Sequence, residues 1–263
     1  MDLQLKGKSV IVTGASQGLG KAVATEFAHE GARVFISSRS EEKLQAAAKE
    51  IREKTGNKSI HYAVCDMKDN EQINNLVQKV IEENESVDVL INNAGGPPAG
   101  TFLEISDEAW YDAFEQNLLS VVRATKSVVP YMKREGGGRI VNITSSSIKQ
   151  SIDNLILSNT MRPGVLGLTK SLSQEFASDH ILLNTVGPGQ IATDRLKQLN
   201  ETAAKSGGKT VEEIEQAAIA NIPLGRYGEP KEFAKAVVFL ASFANTYITG
   251  QALIVDGASV KAL

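Results

Sequence analysis

Short apolar runs alternate along the chain with longer segments in which apolar residues recur every three or four positions. The short runs are rich in Val, Ile and Phe, which favour strands, and the longer segments are rich in Ala, Glu and Lys, which favour helices. The runs predict strands at Ser9–Val12, Arg33–Ser37, Ser59–Val64, Val87–Ile91, Arg139–Ile143, Ile181–Val186 and Ala252–Val255. Strands separated by helices indicate βαβ units with parallel pairing and right-handed crossovers.

The predicted helices have recognisable start and stop signals. They span Lys21–His29, Glu41–Lys54, Asn70–Glu83, Asp107–Arg134 and Leu155–Ser178. Gly56 and the glycine triplet 136–138 follow two of them, as glycine often does at helix ends. No linker or low-complexity stretch divides the chain. We therefore expect one doubly wound α/β domain over residues 1–263.

Residues 195–222 interrupt the alternation. They are polar and helix-prone, and Ser206-Gly207-Gly208 lies in their middle. In doubly wound folds, ligands bind at the carboxyl ends of the strands, and this segment follows such an end. It is therefore a candidate substrate lid with the glycine pair as its hinge, and the alternative is a surface excursion without a binding role.

Composition narrows the function classes. The chain is 42% hydrophobic and 22% charged, with a net charge of −3, which is ordinary for a soluble globular protein. No basic run suggests nucleic-acid binding, and no apolar run has the length of a membrane span. The single Cys65 and three scattered histidines predict neither an internal disulfide nor a metal site. We expect a cytoplasmic protein that binds no nucleic acid, membrane or metal.

The first strand leads into the turn Gly14-Ala15-Ser16-Gln17-Gly18-Leu19-Gly20, which opens into a helix. A strand, a glycine-rich turn and a helix N-terminus in this order bind the diphosphate of a dinucleotide. Gly14 permits a sharp turn, Gly18 lets backbone N–H groups approach a phosphate, and Gly20 lets the helix pack closely on the sheet. The spacing differs from the usual Gly-x-Gly-x-x-Gly, so a turn without a ligand remains an alternative for the motif alone.

The end of the second strand indicates which dinucleotide is bound. NAD-binding proteins place a carboxylate there to hold the ribose 2′-hydroxyl, whereas NADP-binding proteins omit it and supply an arginine. This strand ends in Ser37-Ser38-Arg39-Ser40, and Glu41 is the first carboxylate. Arg39 and the serines can donate hydrogen bonds to a 2′-phosphate. We expect NADP(H) to be preferred over NAD(H); a solvated Arg39 is the alternative.

Several phrases of the sequence together resemble the short-chain dehydrogenase/reductase family over essentially the whole chain. They are Thr13 to Gly20, Asp66, Asn92-Asn93-Ala94-Gly95, Asn117, Ser145, Pro188-Gly189, Thr193 and Val255-Asp256-Gly257. The resemblance implies a Rossmann-type, seven-stranded parallel sheet, a nicotinamide cofactor and a homotetramer or homodimer. These phrases are joined by Phe233, Val237, Phe239, Leu240 and Ala252–Val255, which resemble the family's contact surface between copies. Buried core is the alternative for these apolar residues, and one residue can serve both roles.

The resemblance assigns cofactor-binding roles along the chain. Asp66 is expected at the adenine, Asn93, Ala94 and Gly95 at the central wall of the cofactor cleft, and Ile191 and Thr193 at the nicotinamide carboxamide. The complete set of expected cofactor-binding residues is Gly14, Ser16, Gln17, Gly18, Leu19, Gly20, Ser38, Arg39, Asp66, Met67, Asn93, Ala94, Gly95, Arg162, Pro188, Gly189, Ile191 and Thr193.

The chain departs from the family pattern at the catalytic residues. Family members have Ser, Tyr and Lys, with the Tyr four positions before the Lys and thirteen after the Ser. Here Ser145 and Asn117 are retained, but the Tyr position is Ser158 and the Lys position is Arg162. A serine hydroxyl is a far weaker acid than a phenol, whereas Arg162 preserves a fixed positive charge. Ser145, Asn117, Arg162 and Ser158 are the candidate catalytic residues.

Two functions are open from the sequence. The first is an NADP-dependent oxidoreductase acting on a 3-oxoacyl-type or a sugar- or polyol-like substrate with altered acid–base chemistry. The second is an NADP(H)-binding protein without turnover, acting as a redox sensor or a partner subunit. Lys149, Asp153 and the more remote Tyr111 are candidate replacement proton donors, and the alternative for each is a surface residue.

Overall fold

The computed structural model describes residues 1–262, without the side chain of Ser206. Its strands are β1 Ser9–Val12, β2 Arg33–Ser38, β3 Ile60–Val64, β4 Val89–Asn92, β5 Gly138–Ile143, β6 Ile181–Pro188 and β7 Ala252–Val255. They form a seven-stranded sheet in the order β3-β2-β1-β4-β5-β6-β7, and every neighbouring pair is parallel. The predicted Rossmann-type, doubly wound fold is confirmed.

Helices cover both faces of the sheet. They are α1 Gly18–His29, α2 Glu41–Thr55, α3 Asn70–Asn84, α4 Asp107–Phe114, α5 Ser120–Arg134, α6 Ile156–Glu175, α7 Asp194–Gly207, α8 Val211–Ala220 and α9 Pro230–Leu240. Side chains alternate between the two faces of a strand, so neighbours on β1 enter different cores. Val10 packs with Phe27 of α1 and Phe233 of α9, whereas Ile11 packs with residues of α3 and α5 that include Val128.

The predicted helix over residues 107–134 is interrupted. Residues Glu115–Leu119 form a π-helical turn between α4 and α5. Such turns insert a residue into a helix and occur frequently at functional sites. The turn contains Asn117, whose residue surface is 1% exposed. Apolar periodicity alone did not reveal the insertion, because the flanking helices keep similar apolar patterns.

The candidate lid forms two helices that pack mainly on each other. Of the described side chains in α7, only Asn200 and Ala204 are buried, and α8 buries none. Gly208 has a φ of 62° and ends α7, after which a capping box between Thr210 and Glu213 starts α8. The glycine pair therefore lies at the turn between the two helices, and its expected role as the hinge of the lid stays a prediction.

The apolar residues expected at a contact surface between copies lie largely inside a single chain. Phe233 and Val237 are fully buried and Leu240 is 4% exposed, because this face of α9 packs on α1. The buried-core alternative therefore holds for these three side chains within one chain, and the contact between copies stays a prediction. Of the residues expected at that contact, Leu253 of β7 is exposed, and Tyr247 is a further exposed apolar side chain. Among residues 1–262, no helix has both the length and the apolar character needed to cross a membrane.

Candidate active site

The candidate site lies at the carboxyl ends of β1, β4 and β5. The strand order reverses direction between β1 and β4, because β1 leads to β2 and β3 on one side and β4 leads to β5 on the other. Open α/β sheets bind ligands in the crevice at such a reversal. Residues from the phosphate loop, the loop after β4 and the N-terminal half of α6 meet there.

The loop between β1 and α1 has the features of an anion site. The N-cap of α1, Gln17, makes no side-chain capping bond, and no acidic residue lies in the first turn of α1. Its N–H groups are therefore free to bind a negative group. Gly18 has a φ of 58°, and a Cβ at that position would meet no atom within 4 Å. A Cβ on Gly20 would instead lie 2.5 Å from the carbonyl oxygen of Gly14, so this glycine is needed for close packing.

Asn93 fixes the phosphate loop against the end of β4. Its Nδ2 donates to the carbonyl oxygens of Thr13 and Gly14 at 3.1 and 3.0 Å. Its backbone N–H donates to Thr13 Oγ1 at 2.9 Å, and that hydroxyl donates to the Asn93 carbonyl at 2.8 Å. These bonds hold the two loops in register and leave the carbonyl oxygens of the phosphate loop satisfied.

At the end of β2, two serine hydroxyls lack partners. The Oγ atoms of Ser37 and Ser38 are buried and make no hydrogen bond with any described residue. Arg39 is exposed beside them, and Ser40 caps α2 by accepting from the backbone N–H of Lys43 at 3.4 Å. Buried polar atoms nearly always have a partner. Because successive side chains of a strand point to opposite faces, one of the two hydroxyls can face a ligand group that accepts hydrogen bonds, and Ser38 is the less buried residue. A ribose 2′-phosphate is such a group, and the residues present therefore fit NADP(H).

The residues after β3 lie against the same crevice. Asp66 Oδ1 accepts from the backbone N–H of Lys68 at 3.0 Å, and its own N–H donates to Gln72 Oε1 at 2.9 Å. Met67 lines a cavity of about 10 Å³ together with Ala94 and Arg162. A cavity of this volume holds about one water molecule.

Three serines cluster after β5. Ser145 Oγ accepts from the backbone N–H of Ser147 at 3.1 Å, and Ser147 Oγ lies 3.2 Å from Ser158 Oγ on α6. Ser147 and Ser158 are 5% and 6% exposed. The hydroxyl of Ser158 therefore occupies the Tyr position with a hydrogen-bond partner from the next loop.

Arg162 is a buried cation that contacts backbone carbonyls. Its Nη1 donates to the carbonyl oxygen of Ile143 at 3.1 Å and its Nη2 to that of Ala94 at 3.4 Å. Its Nε has no partner among the described residues, and no carboxylate pairs with it there. Burial lowers the pKa of Arg162 to about 10, so it remains charged at neutral pH. The side chain links the ends of β4 and β5.

Asn117 connects the π-helical turn to the loop after β4. Its Nδ2 donates to the carbonyl oxygen of Gly95 at 2.8 Å, and its buried Oδ1 has no partner among residues 1–262. The structure thus brings Asn117, Gly95, Ala94 and Arg162 together around one loop. An unpaired buried acceptor fits a donor from a ligand or from an ordered water.

The expected carboxamide segment follows β6. The backbone N–H of Gly189 donates to the carbonyl oxygen of Val255 at 2.9 Å, and Ile191 forms a parallel bridge with Gly228. Thr193 caps α7 by accepting from the N–H of Leu196 at 3.3 Å. Pro188 ends β6, so the expected nicotinamide contacts lie between the sheet and the start of α7.

The candidate replacement acids lie on the surface. Lys149 and Asp153 are exposed, and Tyr111 is 73% exposed. No hydrogen bond among the described residues joins any of the three to Ser145, Ser147 or Ser158. No group of His, Cys, Asp or Glu in the part of the chain that the structure describes is arranged to hold a metal ion.

Arg195 lies at the site although the sequence pattern did not indicate it. Its Nη2 donates to the carbonyl oxygen of Pro97 at 2.8 Å, and its guanidinium lies against Gly96. Arg195 follows the N-cap of α7 by two positions, where the helix dipole disfavours a cation. That unfavourable placement was the available signal in the sequence.

The sequence is similar to a known family model and to several known reductases. Residues 14–258 match the family model described as enoyl-(acyl carrier protein) reductase. The chain is 36% identical over 260 residues to the 3-oxoacyl-[acyl-carrier-protein] reductase of Thermotoga maritima, covering 98% of this chain and all of that protein. It is 38% identical over 249 residues to a putative ketoacyl reductase of Streptomyces coelicolor, covering 94% of this chain and 95% of that one.

The chain belongs to the short-chain dehydrogenase/reductase family. Solved structures agree with this membership. The L-sorbose reductase of Gluconobacter frateurii, complexed with NADPH and L-sorbose, superposes with a TM-score of 0.94 at 31% identity over the whole of both chains. An actinorhodin polyketide ketoreductase variant with NADPH gives 0.92 at 37% identity, covering 96% of this chain and 97% of that one. This short-chain dehydrogenase/reductase therefore belongs to an oxidoreductase family.

Proposed function

We propose that this protein is an NADP(H)-dependent oxidoreductase that acts on a carbonyl or alcohol group with altered acid–base residues. The proposed substrate is 3-oxoacyl-like or sugar- or polyol-like. The relatives support this range, because one is named for a 3-oxoacyl carrier-protein substrate and one solved structure is described as containing L-sorbose. The family membership supplies the reaction class, and the residues of this chain supply the details.

The preference for NADP(H) over NAD(H) is inferred from the residues at the end of β2. Ser37 and Ser38 present buried hydroxyls without partners, and Arg39 stands beside them with no carboxylate before Glu41. A carboxylate at this position would repel a 2′-phosphate, whereas an arginine can donate two parallel hydrogen bonds to it. Two of the solved relatives are described as NADPH complexes, which is consistent with this proposal.

In the proposed reaction, bound NADPH supplies the hydride. Ser145 Oγ already accepts a bond from the Ser147 N–H, so its own hydroxyl proton is available to a substrate carbonyl oxygen. Arg162 places a buried positive charge beside the same loops and stabilises negative charge that develops on that oxygen. No hydrogen bond among the described residues joins an acidic side chain to these serines, and in this proposal the proton is taken from solvent.

The loss of the phenol is compatible with turnover. General acid–base catalysis contributes about 10²–10⁴-fold, or roughly 3–5 kcal/mol. Holding two reactants in the correct geometry contributes about 7–11 kcal/mol. A site that retains the second contribution and loses the first remains an enzyme, although a slower one.

One observation favours the second candidate, an NADP(H)-binding protein without turnover. Ser158 is bonded to Ser147, and both Nη atoms of Arg162 donate to backbone carbonyls. The residues at the Tyr and Lys positions are thus engaged with the protein itself. A redox sensor or a partner subunit requires only the cofactor crevice.

The proposal also includes an assembly of identical copies and a substrate lid. We place a contact between copies of this chain, as a homodimer or homotetramer, at the edge where Leu253 of β7 and Tyr247 are exposed. The helices α7 and α8 serve as a substrate lid. Light scattering at micromolar concentration tests the assembly, and a monomer there would contradict it.

Calorimetric titration with NADPH and with NADH, followed by absorbance assays with a 3-oxoacyl thioester and a ketose, tests the function. Tight NADPH binding with oxidation of NADPH by a carbonyl compound is the expected result. Tight binding without turnover on a broad carbonyl panel would favour the second candidate. Absence of dinucleotide binding would contradict both.

A further inference from the structure

Arg195 bridges two loops across the candidate site. Its Nη2 donates to the carbonyl oxygen of Pro97, which follows β4, while Arg195 itself lies in the first turn of α7, which follows β6. In the sheet, β5 lies between β4 and β6. Neighbouring strands are about 4.8 Å apart, so β4 and β6 are roughly 10 Å apart in the sheet. The hydrogen bond of Arg195 therefore joins loops that follow two strands that are not neighbours.

The position of Arg195 in the first turn of α7 does not stabilise that helix. A positive charge in the first turn of a helix opposes the helix dipole and is unfavourable there. No ion pair among the described residues includes Arg195. Arg195 as a whole residue is exposed, and partial desolvation of its guanidinium lowers its pKa. A guanidinium has five N–H donors, and the Pro97 carbonyl uses one.

The element that carries Arg195 is weakly attached to the rest of the fold. The helices α7 and α8 pack mainly on each other, and α8 buries no residue. At the base, the chain is held by the bridge between Ile191 and Gly228 and by a hydrogen bond of 3.2 Å from Asn200 Nδ2 to the Tyr227 hydroxyl. Few buried contacts imply a low free energy for local opening. A hydrogen bond such as that of Arg195 therefore has a large influence on whether the pair is closed.

We propose that Arg195 is a latch that closes α7 and α8 over the crevice and donates its remaining N–H groups to the diphosphate of the bound dinucleotide. The inference rests on the proposed dinucleotide binding. The diphosphate is favoured because Gly96, which the guanidinium contacts, follows the loop that Asn93 ties to Gly14 of the phosphate loop. An arginine fork matches the geometry of phosphate oxygens.

The test measures cofactor release. Arg195→Met removes the charge and the donors, and Arg195→Lys keeps the charge without the fork. Lys197→Met is the matched control, because Lys197 is an exposed cation two positions further along α7. NADPH dissociation is followed by stopped-flow fluorescence, and binding of adenosine 2′-monophosphate is followed by calorimetry. That fragment carries the 2′-phosphate but no diphosphate.

We expect Arg195→Met to raise the NADPH dissociation rate by about tenfold or more, since losing one partner of a charged hydrogen bond acts mainly on dissociation. Arg195→Lys should give a smaller increase, and Lys197→Met should stay within about twofold of the wild type, as exposed cations contribute little. The affinity for adenosine 2′-monophosphate should be unchanged in all three variants.

The outcomes separate this inference from the proposed function. If the wild-type protein does not bind NADPH, the proposed function fails. If it binds NADPH and Arg195→Met behaves like Lys197→Met, the latch is wrong while the proposed function stands. Equal weakening of NADPH and of adenosine 2′-monophosphate would also overturn the latch, because Arg195 would then affect the whole crevice.

Discussion

The ends of β1, β2 and β4 differ from the end of β5 in how their polar groups are satisfied. At β2, the hydroxyls of Ser37 and Ser38 are buried without partners, and the N-terminus of α1 has no capping side chain. After β5, Ser147 and Ser158 bond to each other, and Arg162 donates to two carbonyls. The first region has hydrogen-bonding capacity that a ligand or water can use, whereas the second satisfies most of its own.

The difference separates the phosphate loop from the residues at the Tyr and Lys positions. Asn93 holds the phosphate loop without help from α6, whereas Ser158 and Arg162 lie on α6. Arg162 also donates to Ala94 and is an expected cofactor-binding residue, so the two regions meet at this side chain. We therefore expect substitution of Ser158 to leave cofactor binding nearly unchanged, and substitution of Arg162 to affect cofactor binding as well as turnover.

The largest effect is expected from Arg162→Ala. This variant removes a buried charge next to the reacting loops and leaves the carbonyls of Ile143 and Ala94 without their donor. Turnover should fall by about 10²-fold or more, as it does when a preorganised electrostatic group is removed. Steady-state kinetics measure the loss, and circular dichroism checks the fold. Arg162→Lys, which keeps a charge, should retain more activity; equal loss in both would show that charge is not the contribution.

An effect of comparable size and opposite direction is expected from restoring the family residues. Ser158→Tyr with Arg162→Lys should create or raise NADPH-dependent carbonyl reduction by roughly the 10²–10⁴-fold of general acid catalysis. A phenol has a pKa of about 10 and donates only when protonated, so the gained rate should fall as pH rises through the pKa of the new tyrosine. The pH–rate profile measures this signature. Unchanged NADPH affinity together with an unchanged rate would show that residue 158 does not limit the chemistry.

A smaller effect is expected from Arg39→Ala in the other region. NADPH should bind at least about tenfold more tightly than NADH to the wild type, a difference of about 1.4 kcal/mol, and this variant should erode the difference. Calorimetry with both cofactors measures it. Lys49→Ala, which removes an exposed cation from α2, is the control and should leave the preference unchanged. Equal wild-type affinities would contradict the assignment of Arg39 to the 2′-phosphate.

The fold was predictable because its signals are local. Each strand is a short apolar run, and glycines mark helix ends, as at Gly56, which has a φ of 71° at the end of α2. The phosphate loop was equally visible, because it lies in one continuous stretch of sequence. The π-helical turn at Asn117 was not visible, since one inserted residue barely changes an apolar pattern.

Contacts that join distant parts of the chain were not predictable from pattern. The Arg195–Pro97 bond joins residues 98 positions apart, and the Ser147–Ser158 pair forms only when α6 folds back beside the loop after β5. The sequence also did not predict which apolar side chains of α9 are buried within one chain. They suit either a core or an interface, and the structure shows that this helix packs against α1. Apolar periodicity gives the face of a helix but not its partner.

The smallest effect is expected from Ser158→Ala, which tests whether the residue at the Tyr position takes part in the reaction at all. The change removes one hydroxyl and leaves Ser147 Oγ without the partner that lies 3.2 Å away. Losing a neutral hydrogen bond of this kind costs about 0.5–1.5 kcal/mol of stability. Turnover should change little, because a serine hydroxyl does not ionise near neutral pH and the Ser145 proton stays available. Parallel kinetics on Arg162→Ala fix the expected order, with the arginine variant the more damaged. If Ser158→Ala instead abolished an activity that Arg162→Ala spares, Ser158 would be the group that acts on the substrate. The expectation that Ser158 only fills the space of the missing tyrosine would then be wrong.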